Sequence, residues 1–404
     1  MEIKELKKDF PTEVIEEGEV KALVPKLSVF ARKPGEYVFS KAPVFYNPIM
    51  GLNRDIAVLA MQTYQKMVNR EISICEPLAG TGVRGIRFAK EVSGVKKVLV
   101  NDINERAYQL AKHNVQMNEL SELVTVQNED ANLLLARYGA PRKRFDAIDI
   151  DPFGSPIPFL DSAIRALRNG GFLALTATDM APLCGVHPRA CIRKYGGKPL
   201  RTEYCHELAV RLLVGCLATT AAKYGIGIEV VFSHSTDHYI RVYAILKYGA
   251  KMADKSVKGM GYIFHCFQCF HRESMESPFI SRKCRECGSK MDFAGPLWLK
   301  EISNRDFCER MEKEAIHVQL KNSARIAKIL NLVKEEVDAP ITYYVIDKIC
   351  DKLGLPVPSV KKVREALKHE GFKASLTHFN PKGLRTDASA NKLADVVRKV
   401  VSAN

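Results

Sequence analysis

Ile72-Ser73-Ile74-Cys75-Glu76-Pro77-Leu78-Ala79-Gly80-Thr81-Gly82-Val83-Arg84-Gly85 runs from apolar β-forming residues through a glycine-rich turn into a helical pattern. Gly80, Gly82 and Gly85 fit G-x-G-x-x-G, where a side chain would block close approach of a ligand to the backbone and the following helix presents unpaired N–H groups. Asp102 closes the next apolar run, 20 residues beyond Gly82, where a carboxylate can accept both hydroxyls of a ribose. Together these residues point to an adenosine-containing ligand, with Glu76, Gly80, Gly82, Arg84 and Asp102 as candidate contacts. The glycine spacing does not separate a dinucleotide from S-adenosylmethionine.

Outward from that turn, short β-rich runs alternate with helical patterns from about residue 72 to 248, the signature of a parallel sheet flanked by helices. The expected strands are Ile72-Cys75, Val98-Asn101, Val124-Gln127, Phe145-Ile150 and Phe172-Thr176. A long amphipathic helix is expected at about Glu207 to Lys223, then strands Ile228-Ser233 and Ile240-Lys247. The link between these last two is too short for a parallel crossover, so they should be antiparallel. Beyond Gly249 the chain reads as basic and loop-like, then helical from about Glu301 to Val337. Tyr343-Leu353 and Ser359-His369 read as two helices joined by Gly354-Leu355-Pro356-Val357-Pro358, either a helix-turn-helix or, the favoured reading, a plain packed pair.

Phe145-Asp146-Ala147-Ile148-Asp149-Ile150 ends in Asp151-Pro152-Phe153-Gly154, at the carboxyl edge of the expected sheet, where ligands of open α/β folds bind. A carboxylate, a proline carbonyl and an aromatic ring there suit methyl transfer to an amine conjugated with a ring, whose delocalised lone pair is a weak nucleophile. If the Asp151 side chain and the Pro152 carbonyl each accept one N–H, the nitrogen can pyramidalise toward a methyl donor while Phe153 stacks on the base. Asp149 receives no role in this reading. Asp130-Ala131, after the third strand, stands where an adenine amino group needs an acceptor and an apolar contact, or where a helix needs a cap.

The chain of 404 residues is long enough for two or three domains. Its 61 Lys and Arg exceed its 46 Asp and Glu, leaving +15, which suits a polyanionic partner such as nucleic acid but carries no sequence preference. No apolar run approaches the roughly 18 residues that span a bilayer, and the first residues lack a secretory signal. The expectation is a cytoplasmic protein without a membrane or an obligatory protein partner. Of 11 cysteines, four form Cys266-x-x-Cys269 and Cys284-x-x-Cys287, with 14 residues between the pairs. That is the spacing of a four-cysteine zinc ribbon, at about residues 262–298, whose closed thiolate set makes the metal structural. His265 and His271 flank the first pair as substitutes.

Linked segments along nearly the whole chain resemble the tRNA guanine-26-N2 dimethyltransferases. They are Pro43-Val44-Phe45-Tyr46-Asn47-Pro48, Asn53-Arg54-Asp55, Asp149-Ile150-Asp151-Pro152-Phe153-Gly154-Ser155-Pro156, Thr176-Ala177-Thr178-Asp179, Ala181-Pro182-Leu183-Cys184-Gly185, His187-Pro188 and Thr377-His378-Phe379. The first loop departs from the family form by being richer in glycine. The resemblance implies an α/β fold, a class I (Rossmann-like) methyltransferase domain with an antiparallel last strand over residues 1–250. A C-terminal α+β tRNA-binding domain containing the zinc ribbon would then occupy residues 251–404. It further implies S-adenosylmethionine as cofactor, tRNA as partner, Asp151 as the proton acceptor beside Pro152, and Phe45 and Phe153 as the aromatic pair holding guanine. Arg54, Asp102, Asp130 and Ala131 become cofactor contacts by the same likeness. Rival readings are an amino-methyltransferase acting on another RNA or DNA base, and a non-catalytic RNA-binding protein on the same scaffold.

Overall fold

The computed structural model describes residues 10–30, 42–277, 283–318 and 320–403. Two N-terminal strands, β1 (Thr12–Glu17) and β2 (Val20–Pro25), form an antiparallel hairpin. A short turn of helix at Pro48–Met50 then leads into α1 (Gly51–Val68). Alternation follows as the hydrophobic pattern predicts: β3 (Ile72–Glu76), α2 (Val83–Glu91), β4 (Val95–Asn101), α3 (Glu105–Met117), β5 (Val124–Gln127), α4 (Ala131–Tyr138), β6 (Phe145–Ile150), α5 (Ile157–Ala166) and β7 (Leu167–Ala177). Every residue of β6 is buried, as expected of an interior parallel strand covered on both faces.

The seven-stranded sheet has the order β5-β4-β3-β6-β7-β9-β8, in which β8 (Ile226–Thr236) and β9 (Tyr239–Tyr248) are paired antiparallel. The chain winds from β3 out to β5 and then returns to place β6 on the other side of β3, with both neighbours parallel to it. The carboxyl ends of β3 and β6 therefore flank a topological switch point, where adjacent connections diverge and leave a crevice. The glycine turn follows one of these strands and Asp151 the other.

Between β7 and β8 lie α6 (Met180–Leu183), α7 (Pro188–Tyr195) and α8 (Cys205–Ala222). By length and composition α8 is apolar enough to cross a membrane, contrary to the expectation from sequence, yet 67% of it is buried inside the protein. Its apolar residues belong to the core, which also takes in its Glu207 and Arg211. Glu207 pairs with Arg211 at 2.8 Å and with Arg385 at 2.8 Å, and Arg385 reaches Glu336 at 2.7 Å. Burial would raise the carboxyl of Glu336, but His378 and Arg385 hold it down at about 2.

The region after Gly249 is more regular than its composition suggests: α9 (Ala250–Val257) precedes the antiparallel strands β10 (Met260–His265), β11 (Arg272–Met275) and β12 (Asp292–Trp298). The expected long helix divides into α10 (Arg305–Ala315) and α11 (Ser323–Glu336). The β-branched Ile316 and Val318 weaken the helix there and Asn322-Ser323 supplies a new start signal. Tyr343 does not begin a helix: β13 (Tyr344–Val345) comes first, then α12 (Ile346–Leu353), α13 (Val360–His369), β14 (Ala374–Leu376), β15 (Gly383–Thr386) and α14 (Ala390–Ser402). Ile349, Val363, Leu367, Leu384, Leu393 and Val397 share one core, so α12 and α13 pack with α14 and the small sheet as a plain pair.

By compactness the chain forms two units, residues 1–152, 158–175 and 309–327 in one, and 153–157, 176–308 and 328–404 in the other. The division crosses the chain within β7 and again on either side of residues 153–157 and of residues 309–327.

Candidate active site

Glycine is required at the turn after β3. Gly80 and Gly82 have φ of +55° and +77°, a region that costs any residue with a Cβ about 1 kcal/mol or more. A Cβ on Gly80 would stand 2.9 Å from the carbonyl oxygen of Phe45, and one on Gly82 2.9 Å from Ala111. The Gly80 N–H donates to Asp102 at 2.8 Å, and the other oxygen of Asp102 accepts from the Asn104 N–H at 2.9 Å. Those bonds orient Asp102 and leave each oxygen a further lone pair. Gly85 lets α2 close on the sheet, and its N–H donates to the buried Glu76 at 2.8 Å.

Arg84, from the first turn of α2, lies buried among three carboxylates: its Nη2 bonds Asp151, its Nε is 3.5 Å from Glu76 and its Nη1 is 3.7 Å from Asp149. Glu76 is the acid on which this crowding of carboxylates tells. Burial first, with the charges of Asp149 and Asp151, pushes its carboxyl up to about 8 against the opposing pull of Arg84. At neutral pH Glu76 is therefore protonated. Asp151 keeps its direct bond to Arg84, and its side chain is 18% exposed, against 3% or less for Glu76 and Asp149. Of the three acids it is the one that solvent reaches. Sequence reasoning took Arg84 only as a cofactor contact and gave Asp149 no part. The alternation of acids at the end of β6, with the buried Asp149 and the half-buried Asp151 just beyond the strand on the same side, was the signal available.

Arg54 is committed to Glu17 of β1, with hydrogen bonds of 2.5 and 2.6 Å, and also donates to the Asn47 carbonyl at 3.1 Å while lying over the Tyr46 ring. Burial alone would raise Glu17, but Arg54 and Arg87 bring it down to about 2. Arg54 thus anchors the segment that carries Phe45, and Asn104 donates to the Pro43 carbonyl at 2.8 Å from the other side. Neither Glu17 nor this anchoring was foreseen, since nothing in the spacing links residue 17 to residue 54. Asp130 caps α4, accepting from the N–H groups of Asn132 and Leu133 at 2.9 and 3.0 Å, and Ala131 is buried beside it.

After Pro152, Phe153 exposes 67% of its surface. The backbone beneath it is held: Gly154 N–H donates to the Thr178 hydroxyl at 2.8 Å, and Thr178 N–H to the Gly154 carbonyl at 2.9 Å. Ser155 donates to the Tyr195 hydroxyl at 2.9 Å, which donates to Asp179 at 2.5 Å.

The sulfurs of Cys266, Cys269, Cys284 and Cys287 lie within 4.8 Å of one another. A tetrahedral zinc with Zn–S near 2.3 Å requires sulfur separations of about 3.8 Å, so this donor set fits that ion. His271 is not part of the set; its ring nitrogens face Glu286 at 2.9 Å and Arg285 at 3.2 Å. His265 packs edge-on against Phe267.

Residues 18–398 match the model of the family described as N2,N2-dimethylguanosine tRNA methyltransferase. A tRNA (guanine(26)-N(2))-dimethyltransferase of Methanobrevibacter smithii is 42% identical over 98% of this chain and all of its own length. One from Methanosphaera stadtmanae is also 42% identical, over 96% of each chain. The solved structure of Trm1 from Pyrococcus horikoshii with S-adenosyl-L-methionine superposes with a TM-score of 0.83 at 36% identity, covering 95% of this chain and 99% of that one. A buried arginine beneath the Asp-Pro-Phe loop, at the switch point of a mixed α/β sheet, is thus found in a chain that belongs to the N2,N2-dimethylguanosine tRNA methyltransferase family.

Proposed function

We propose that this chain transfers methyl groups from S-adenosylmethionine to the exocyclic N2 of guanine 26 in tRNA, giving N2-methyl- and N2,N2-dimethylguanosine. The observation that carries this reading is Asp151, solvent-accessible at the carboxyl end of β6 and bonded from behind by Arg84. When bound, the cofactor supplies an electrophilic methyl on a positively charged sulfur. Asp102, oriented by Gly80 and Asn104, has lone pairs left for ribose hydroxyls. Glu76, Arg84, Asp130 and Ala131 border the same crevice in our reading, while Arg54 acts through the segment it anchors.

Phe153 offers an exposed face for the guanine and Phe45 its counterpart, so the cost of unstacking the base, on the order of a few kcal/mol, is offset by new stacking. Asp151 and the Pro152 carbonyl each accept one N–H of the amine, which turns its lone pair out of conjugation. As the N–C bond forms and the methyl's bond to sulfur breaks, leaving its electron pair on the now neutral sulfur, the nitrogen becomes strongly acidic, and Asp151 would take the released proton. Arg84 holds the Asp151 carboxylate in place before each transfer. For the second methyl, the remaining N–H turns toward Asp151.

The net charge of +15 supplies attraction for the tRNA phosphates, and residues 251–404 contribute to that grip. The reversed final strand is that of the class I methyltransferase sheet. Cys266, Cys269, Cys284 and Cys287 would hold a structural zinc, with no coordination position left open. The test is Asp151→Ala: transfer of labelled methyl into tRNA should vanish while calorimetry still registers S-adenosylmethionine and tRNA binding. Near-normal turnover would remove Asp151 from its assigned role. Nucleoside mass spectrometry of the tRNA product locates the modified base, and methylation elsewhere than guanine 26 refutes the assigned site.

A further inference from the structure

Among the described residues, a second group of metal-binding donors stands apart from the four-cysteine cluster. Cys184, Cys205 and His206 bring two sulfurs and an imidazole nitrogen within 4.8 Å of one another, all half-buried. Their backbones are already in place. Cys184 closes α6, its N–H bonded to the Met180 carbonyl at 2.7 Å, and Gly185 with φ of +86° passes so close to the Leu200-Arg201 backbone that a Cβ would stand 2.8 Å from the Arg201 nitrogen. Cys205 and His206 open α8, an 18-residue helix whose N-terminal N–H groups favour a thiolate.

We infer that Cys184, Cys205 and His206 form a second site for a thiophilic divalent cation of the zinc class, closing residues 184–205 into a metal-clasped loop. Two thiolates and an imidazole are the donors that such an ion prefers over magnesium or calcium, and three protein ligands leave its fourth position to solvent. The clasped loop contains α7 and therefore Tyr195, whose hydroxyl accepts from Ser155 and donates to Asp179. The ion accordingly steadies the segment that carries Phe153, without contacting substrate. This inference needs neither the proposed reaction nor the occupancy of the four-cysteine cluster.

The experiment compares the metal content of the full-length chain, purified with zinc and dialysed, with that of Cys184→Ser and Cys205→Ser, using Cys216→Ser as a control at a half-buried thiol outside the group. Each ligand variant should carry one equivalent less than the unsubstituted chain, and the control none less. Because the reading is a difference, the zinc in the other cluster cancels. On cobalt loading, the thiolate-to-metal absorption should weaken in the same two variants. Should a variant fail to fold, alkylation of the unsubstituted chain gives the same answer: cobalt should protect Cys184 and Cys205 from iodoacetamide, and peptide mass spectrometry reads this directly. Equal metal in all four proteins, unprotected thiols under cobalt, or a Cys184–Cys205 disulfide in the purified chain each overturns the inference.

Discussion

The guanidinium of Arg84 bonds the carboxylate of Asp151 and at the same time spans toward Glu76 and Asp149. A planar cation with five donors can serve three acids in different directions; an ammonium cannot. Arg84→Lys should therefore lower kcat by about ten- to a hundredfold, ~1.4–2.8 kcal/mol of barrier, chiefly by releasing Asp151 from its orientation. Single-turnover transfer of labelled methyl with saturating cofactor checks this. Normal kcat with weakened cofactor binding alone would make Arg84 a cofactor contact and nothing more.

Glu76 gives the fold a pH dependence of defined sign. Its carboxyl is raised from an ordinary value near 4.5 to about 8, chiefly by burial, so the folded chain holds a proton that the unfolded chain has lost. This contribution to stability is complete below about pH 4.5 and disappears as pH rises toward 8. Glu76→Gln keeps an acceptor for the Gly85 N–H while removing the titration. The cofactor-free variant should melt with a flatter pH profile between 5 and 8, and at pH 8 should be more stable than the parent by on the order of a few kcal/mol. Parallel melting profiles for the two proteins would place the proton elsewhere.

The bonds from Tyr195 to Ser155 and Asp179 make a positioning prediction. Tyr195→Phe removes the acceptor of the buried Ser155 hydroxyl and one of the donors to the half-buried Asp179, which keeps Lys194 at 2.9 Å, at about 1–3 kcal/mol of stability. It loosens the backbone next to Phe153 but leaves the glycine turn untouched. The expected outcome is a severalfold higher KM for tRNA, with S-adenosylmethionine affinity unchanged by calorimetry. A simple loss of stability, with KM intact at temperatures well below the melting point, would reduce Tyr195 to a packing residue.

The parts of this protein that the sequence disclosed are those in which a local rule meets a short segment. The glycine turn, the six buried residues of β6 and the paired cysteines each carry their reason within a few positions, and the place of Asp151 at the carboxyl end of β6 followed from the strand before it. The long-range partnerships were not legible. Glu17 with Arg54, and Glu207 with Arg385, join residues 37 and 178 positions apart, and no periodicity encodes which charge meets which. Regular structure after Gly249 was hidden because β10 to β12 are short and interrupted by the polar cysteine knuckles. The helix expected through residue 316 failed because its amphipathic period continues across a break made by β-branched residues.

Arg385 lies on β15, near the end of the chain, and its guanidinium is locked between Glu207 of α8 and Glu336 of α11. An engineer who severed the polypeptide near residue 250 to obtain separate pieces would strip Glu207 of one of its two cations and bare a charge that has no route to water. The tail is consequently no appendage: it finishes the electrostatic closure of a helix laid down almost two hundred residues earlier.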